Sequence, residues 1–462
     1  MNLGVLMNFF TSDPRCLQIA ESIVLPHPQQ IHLAGTYGSV SQFILAAVAE
    51  SATTAQNHLV IVKEAEDAAY FQNSLQNITG TLEILYFPSS FKNKKNFSQV
   101  NSSHIMLRTE ALTKIASGGN KKILVTHADA LFEKVVLSNT LFENTIHSQQ
   151  AEELDIDALL EKFVDYGFEK TDFVYEPGQF AIRGGIVDIY SFGNEKPYRI
   201  ELFGKEVDSI RIFNPETQLS ERKLLQVNII PNIDTQFEAT EKVSLLEFLP
   251  SNTVLWIEDW AYVKERLEQM EEELDVFLLG VSHEPFDQNN IPETFEVKKE
   301  QPASKGDFIS ARLLEQQLIQ KHIIEFGKKT SFNGSAQKIL FNTAPQPAFN
   351  RNFSMLIKDL QEHEKNQYNI FIFADQARQL ERLHSIFSDL KAELQITPIP
   401  VSIHEGFVDH ALKLVCYTDH QIFQRYHKYK VKQAFNKNKA LTLKTLRELQ
   451  PGDYITHIDH GV

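Results

Sequence analysis

The sequence predicts an α/β protein: a parallel-sheet layer interrupted by an inserted, mostly β unit and followed by a smaller α/β unit. Three observations carry that expectation. Short, almost wholly apolar runs recur along the chain, as strands covered on both faces require. Helical patterns such as Gln42–Ala55 and Ala374–Leu390 separate many of them, the signature of α/β units. From Phe173 to Phe213 the pattern changes to one with alternation, which half-wet antiparallel strands produce, so residues 143–231 read as a mostly β insertion.

Taken in order, the apolar runs are Asn57–Lys63, Leu82–Phe87, Lys121–Thr126, Thr253–Glu258, Asn369–Ala374 and Leu412–Thr418. Each has strand length, and each is rich in β-branched or aromatic residues. In the middle section Tyr198, Ile200 and Leu202 alternate with Arg199, Glu201 and Phe203, and Val207, Ile210 and Ile212 follow after Gly204-Lys205. That is a hairpin pattern. Gly184-Gly185 marks a turn or a close backbone approach. Strand alternation from Phe180 places Ile182 with it on one face and Ala181 with Arg183 on the other. From His420 to Arg447 there is no Asp or Glu, whereas Arg425, Lys428, Lys430, Lys432, Lys437, Lys439, Lys444 and Arg447 are all basic. Such a run reads as a solvated linker or helix face, with a phosphate-contacting face as the alternative. A further strand-rich unit begins near Pro451-Gly452-Asp453, close to the last residue.

Composition bounds the function. At 462 residues, 42% hydrophobic and 23% charged, the chain has material for several cores and is not of the disordered class. A net charge of −15 excludes a generally basic, duplex-coating protein, because phosphate neutralisation dominates such binding. Any nucleic-acid role belongs to a local patch or to a partner. No run approaches the ~18 apolar residues of a membrane span, and no basic segment precedes the N-terminal apolar residues, so a cytoplasmic protein without a membrane partner is expected. Cys16 and Cys416 make neither a disulfide framework nor a metal site by themselves.

Three motifs carry possible chemistry. Leu33 to Ser41 (LAGTYGSVS) sits where a phosphate loop would sit, ahead of a helix. A working loop needs G-x-x-x-x-G-K-[ST], whose lysine reaches the outer phosphates and whose hydroxyl holds magnesium. No Lys follows Gly38 in that frame, and Val40 and Ser41 stand where the ending should be. Gly35, Gly38, Ser39 and Ser41 therefore read as an inactive relic or a plain turn. His457-Ile458-Asp459-His460 lacks the third and fourth partners that a metal requires, so no metal is expected there. No nucleophile elbow, paired catalytic carboxylates or Cys/His constellation is visible, and catalytic residues are expected to be absent. The third motif is the β insertion: Arg183, beside Phe180 and close to Ile186 and Ile189, is the type of side chain that anchors protein interfaces. On spacing alone the commoner reading is a strand arginine that snorkels or pairs with a carboxylate such as Asp188.

The insertion also carries a resemblance. Tyr166–Phe173 (YGFEKTDF), Pro177–Tyr190 (PGQFAIRGGIVDIY), Pro197–Phe203 (PYRIELF) and Asp208–Arg211 (DSIR) resemble the second domain shared by the excinuclease subunit UvrB and the bacterial transcription-repair coupling factors. The flanks choose between the two. UvrB-type chains keep an intact phosphate loop followed by a tyrosine-rich hairpin. Here the loop is broken at Gly35–Ser41, and the stretch after Phe87-Pro88 has no such hairpin. Both losses match the coupling-factor family. Phe371–Ala374 (FIFA), His404–Phe407 (HEGF) and Leu414–Asp419 (LVCYTD) resemble that family's third domain. Glu448–Gly461 resembles the opening of its RNA-polymerase-interacting domain.

The resemblance implies a domain plan and a role. A degenerate helicase-like (P-loop-type) α/β domain, in two halves (1–142 and 232–345), encloses an inserted UvrA-binding domain (143–231). A small α/β domain (346–420), a basic linker (421–447) and the start of the polymerase-interacting domain (448–462) follow. It implies a non-catalytic platform that recruits UvrA where RNA polymerase has stalled at a lesion, with Arg183, Lys170, Phe180, Ile186 and Ile189 at the contact. The chain carries Ala181 where the UvrB relative has Arg, and Lys170 lacks the planar fork of Arg. RNA polymerase, through the domain beginning near residue 448, and duplex DNA are the further partners implied for the full-length family. No cofactor is implied for this stretch, ATP and Mg being expected only for the family's translocase domains. The alternative is a UvrB-type ATP-dependent helicase subunit; a third reading is DNA binding through 425–447.

Overall fold

The computed structural model describes residues 2–427 except 52–55, 81, 94–95, 120, 234–240, 282–303, 328, 330 and 333–336. The basic run from Lys428 onward, the His457–His460 motif and the 448–462 segment lie outside the described residues.

Along the chain, strand β1 (Gln30–Ala34) leads into helix α1 (Val40–Ser51), β2 (His58–Val62) into α2 (Ala65–Ile78), and β3 (Glu83–Phe87) and β4 (Lys122–His127) follow. Helix α3 (Ile156–Asp165) opens the insertion, its first turn capped by the Asp155 carboxylate, which accepts from the Ala158 N–H at 3.2 Å. Strands β5 (Glu169–Lys170), β6 (Gln179–Arg183), β7 (Ile186–Ile189), β8 (Tyr198–Phe203), β9 (Glu206–Phe213) and β10 (Ser220–Leu224) come next. Then come β11 (Val254–Glu258), β12 (Ile323–Phe326) and β13 (Gln337–Leu340). Last are β14 (Thr343–Pro345), β15 (Asn369–Phe373), helix α4 (Ala377–Asp389), β16 (Ile396–Ile399), β17 (Phe407–Asp409) and β18 (Leu414–Thr418).

The first and third groups interleave in one seven-stranded sheet, ordered β13-β1-β12-β11-β2-β4-β3. Every pairing in it is parallel. Strands such as β2 (HLVIV) and β4 (KILVTH) are buried along their whole length, which is why the sequence shows no alternation there. The insertion builds a separate six-stranded sheet, β10-β9-β8-β7-β6-β5, antiparallel except for the last pair. A mixed five-stranded sheet, β14-β17-β18-β15-β16, forms the last unit. The α/β class with an inserted β unit, expected from the sequence, is the architecture found. The apolar runs fall on β2, β3, β4, β11, β15 and β18 with ends shifted by a residue or two. Strands β1, β12 and β13 are not among those runs, because QIHLA, IIEF and QKIL are short and broken by polar residues.

The last sheet docks on the first unit through aromatic packing. Phe43 of α1 stacks on Phe10 at 5.1 Å between centroids and meets Phe407 at 5.6 Å and Phe373 at 6.2 Å. Both cysteines are free and buried. Among the described residues no helix is long and apolar enough to cross a membrane, and no three metal-binding side chains converge.

Candidate partner-docking site

The β6–β7 hairpin decides how the basic side chains are displayed. Arg183 pairs with Ile186, so Gly184-Gly185 is a two-residue turn, and Gly184 takes φ +60°, a conformation glycine adopts without strain. A side chain at Gly185 would meet the Leu202 carbonyl oxygen at 2.8 Å, and that backbone contact is sealed by the Leu202 N–H donating to the Gly185 carbonyl at 2.7 Å. The turn is therefore pinned to the end of β8.

The register sorts the residues onto two faces. Phe180, Ile189, Tyr198 and Ile212 lie in one cross-strand row, with Ile182, Val187, Ile200 and Ile210 beside it. This row faces the core under α3, where Phe180 meets Phe163 at 5.2 Å. Ala181, Asp188, Arg199 and Arg211 form a row on the opposite face, flanked by Arg183, Ile186, Glu201 and Ser209.

On that second face Asp188 is fully buried and lies between two guanidinium groups. Arg199 binds it through Nε at 2.7 Å and Nη2 at 2.9 Å, a forked geometry that is the strong form of this pair. Hydrogen bonding to Asp188 raises the Arg199 pKa above its ordinary value. Arg183 donates through Nη2 to the same carboxylate and through Nη1 to the Asp172 carbonyl at 2.8 Å. Its Cζ lies 4.9 Å from the Phe173 ring centroid, a cation–π distance. About a third of the Arg183 side chain stays exposed.

One sequence expectation is corrected. Phe180 and Ile189, placed at the partner contact, are 2% and 0% exposed, because their row faces α3; they cannot supply contact area to a partner. Lys170 is exposed, but it pairs with Phe180 across the β5–β6 edge, so the register puts it on the opposite face from Arg183. The structure brings Arg183 and the half-buried Ile186 together and leaves Lys170 around the edge. Sequence reasoning did not single out Arg199, Phe173 or Phe203. Phe203 is 84% exposed at the β8–β9 turn, next to the Gly184-Gly185 turn. Its signal was present: an aromatic directly before Gly204-Lys205 stands at the tip of a hairpin, where its register partner is the polar Glu206.

The glycine loop after β1 is the second candidate. Gly35 and Gly38 take φ +73° and +58°. A Cβ at Gly35 would lie 2.2 Å from the Phe341 carbonyl oxygen, and one at Gly38 would lie 2.6 Å from that of Gly406. The Tyr37 N–H donates to Thr343 Oγ1 at 3.0 Å, and the Ser39 N–H donates to the Glu405 carbonyl at 3.1 Å. Ser39 Oγ accepts from the Glu405 N–H at 3.0 Å, and Ser39 and Ser41 are both buried. These are the backbone donors a phosphate loop would turn toward its ligand. At the carboxyl ends of β2 and β11, where open α/β sheets receive ligands, Lys63 lies 3.4 Å from Glu258 and 3.8 Å from Asp259. Burial pushes the Glu258 carboxyl up.

In the last described stretch, Arg425 is not a free cation of the basic run: it pairs with the buried Asp419.

Residues 146–234, which contain all of β5–β10, match the model of the UvrB interaction domain family. The transcription-repair-coupling factor of Bacillus subtilis is 25% identical over 384 residues, 68% of this chain and 32% of that protein. That of Staphylococcus epidermidis is 23% identical over 445 residues, covering 80% and 36%. That of Borreliella burgdorferi is 25% identical over 371 residues, covering 74% and 32%. This chain is similar to transcription-repair-coupling factors. It spans about a third of the length of the coupling factors it matches. The resemblance read from YGFEKTDF and PGQFAIRGGIVDIY is thus found by comparison, and in this coupling-factor-like chain the matched domain is the one that carries the Arg183–Asp188–Arg199 array.

Proposed function

We propose that this chain is a recruitment platform of transcription-coupled nucleotide excision repair, which binds UvrA through its inserted β domain and performs no nucleotide chemistry itself. The observation that supports it most is the display of Arg183. The guanidinium uses two of its five N–H donors on Asp172 and Asp188, and about a third of the side chain stays exposed, which leaves donor capacity for an acidic partner. Two arginines share one carboxylate, so the array keeps a net positive charge. Phe173 and Phe203 take over the apolar contact once assigned to Phe180 and Ile189. Lys170 extends the surface around the β5 edge. In the longer relatives' frame, the segment near residue 448 meets RNA polymerase, and translocation on duplex DNA with ATP and Mg belongs to further domains.

The reading without nucleotide chemistry is supported by the loop geometry: the Tyr37 and Ser39 N–H groups already have protein acceptors. The second reading, a UvrB-type ATP-dependent helicase subunit, draws on Glu258 and Asp259 at the end of β11, where a metal-holding acid pair would stand.

Calorimetric titration of UvrA into this chain, alongside Arg183→Glu, separates them. Binding at about micromolar Kd or tighter, weakened at least ~10-fold by the substitution, is expected. No binding by either protein with the fold intact overturns the platform reading. A rise in Tm with Mg-ATP, which ligand binding to the native state requires, establishes the helicase reading instead.

A further inference from the structure

The docking face contains a side chain that never reaches the surface yet controls the one that does. Asp188 lies at the centre of the inserted sheet with no exposed area. Its Oδ1 accepts from Arg199 Nε, and its Oδ2 accepts from both Arg199 Nη2 and Arg183 Nη2. Arg199 is itself fixed from behind: its Nη1 donates to the Gln218 carbonyl at 3.1 Å, and its Cζ lies 4.5 Å from the Phe213 ring centroid. Gln218 holds φ +60° and ties its Nε2 to the Val174 carbonyl at 3.1 Å, beside Phe173. The array thus runs from the Phe213 ring through Arg199 and Asp188 to Arg183, and the strap at 172–174 closes over the last of these.

We propose that Asp188 is the positioning residue of the docking site: it holds the Arg183 guanidinium over Phe173, in one geometry, before any partner arrives. An exposed arginine on a flexible stem must lose its rotamer freedom on binding, and that loss opposes association. Arg183 has that cost removed in advance by three restraints: Asp188, the Asp172 carbonyl and the Phe173 ring. A single arginine on Asp188 would be neutralised by it. The second arginine changes that, because Arg199 takes the forked pairing and Arg183 keeps a single bond to the shared oxygen. Arg183 is therefore oriented without being fully compensated, which is what an acidic partner group needs. The inference rests on the UvrA-docking reading for its purpose and on the array alone for its mechanism.

The test has two arms on the full chain. In the first, the Arg183 Nε–H is observed by NMR with arginine-selective ¹⁵N labelling, without partner. A rigid Nε–H in the parent that becomes mobile in Asp188→Asn supports the positioning role; equal rigidity in both overturns it. The second arm measures UvrA affinity for Asp188→Asn, for Phe173→Leu, and for each combined with Arg183→Ala. Phe173 is 42% exposed, so its variant keeps the fold even where Asp188→Asn lowers stability. Each substitution is expected to weaken binding about threefold in the parent, the scale of a cation–π or ordering contribution. Each should have almost no effect once Arg183 is Ala, the non-additivity of residues acting through one another. Losses that add in full to that of Arg183→Ala overturn the inference. If Arg183→Ala itself leaves UvrA affinity unchanged, the docking reading fails, and the NMR arm still decides whether Asp188 orients Arg183.

Discussion

The polar face of the inserted sheet and the glycine loop after β1 are both places where the chain gathers hydrogen-bond donors at a turn between regular elements. They end in opposite states. On the sheet, Arg183 is oriented by neighbours that leave part of its guanidinium open. In the loop, the Tyr37 and Ser39 N–H groups are closed by acceptors from Thr343 and Glu405, hundreds of residues away in sequence. The difference teaches that capacity for a ligand is measured by donors left unused, not by the motif that assembled them. A glycine-rich turn whose donors are satisfied is a packing joint.

The largest expected effect tests that joint. Gly35→Ala and Gly38→Ala should each cost about 2–4 kcal/mol of folding stability, the sum of a left-handed backbone penalty and an overpacked contact with backbone. Gly184 also takes a positive φ, but nothing lies within 4 Å of its missing Cβ. Gly184→Ala should therefore cost only about 1–2 kcal/mol. Denaturant unfolding of the three variants checks the contrast. Equal losses at Gly38 and Gly184 would mean that the 404–406 segment does not press on the loop.

Protonation probes the same joint from the other side. Tyr70 of α2 stacks on His404 at 3.7 Å, and His420 stacks on His427 at 4.3 Å, so the seam between the first and last sheets is lined by imidazoles. Burial pulls the His404 and His420 pKa values down from 6.5 to about 4. Between those limits the unfolded chain takes up protons that the folded chain refuses. The stabilisation is therefore complete above pH 6.5 and lost progressively as the pH falls to about 4. Tm should drop steadily across that window. A profile that stays flat from pH 7 to pH 4 would show that the seam opens without cost.

The fold class was legible because buried parallel strands leave unbroken apolar runs and half-wet strands leave alternation. Asn369–Ala374 and Tyr198–Phe203 each announce their environment in their own residues. The site was legible only in part. Period-two spacing separates Phe180 from Arg183, but it does not say that α3 covers one side and the 172–174 strap much of the other. The contact implied by the resemblance nonetheless included Phe180 and Ile189, which lie on the covered side. Nor does local pattern reveal that Lys170 and Arg183 point to opposite faces, since that depends on the β5–β6 register. The contact of Ser39 with Glu405 is wholly non-local, and no single-sequence pattern encodes it.

The smallest effect on stability falls on the docking surface, and there it is the most informative. Phe203 is 84% exposed, so Phe203→Ser removes almost no buried area and should change unfolding free energy by no more than about 0.5 kcal/mol. If the turn beside Gly184-Gly185 is part of the partner surface, the same substitution should weaken UvrA binding about 3–10-fold, a loss of about 0.6–1.4 kcal/mol from an apolar anchor at an interface. Phe142, also exposed at 70% but in a helix (138–143) N-terminal to the six-stranded sheet, serves as the control. Phe142→Ser should alter neither stability nor affinity. Equal losses of affinity at both positions would indicate a diffuse, non-specific apolar attraction, and the assignment of the surface to the Arg183 turn would fall with it.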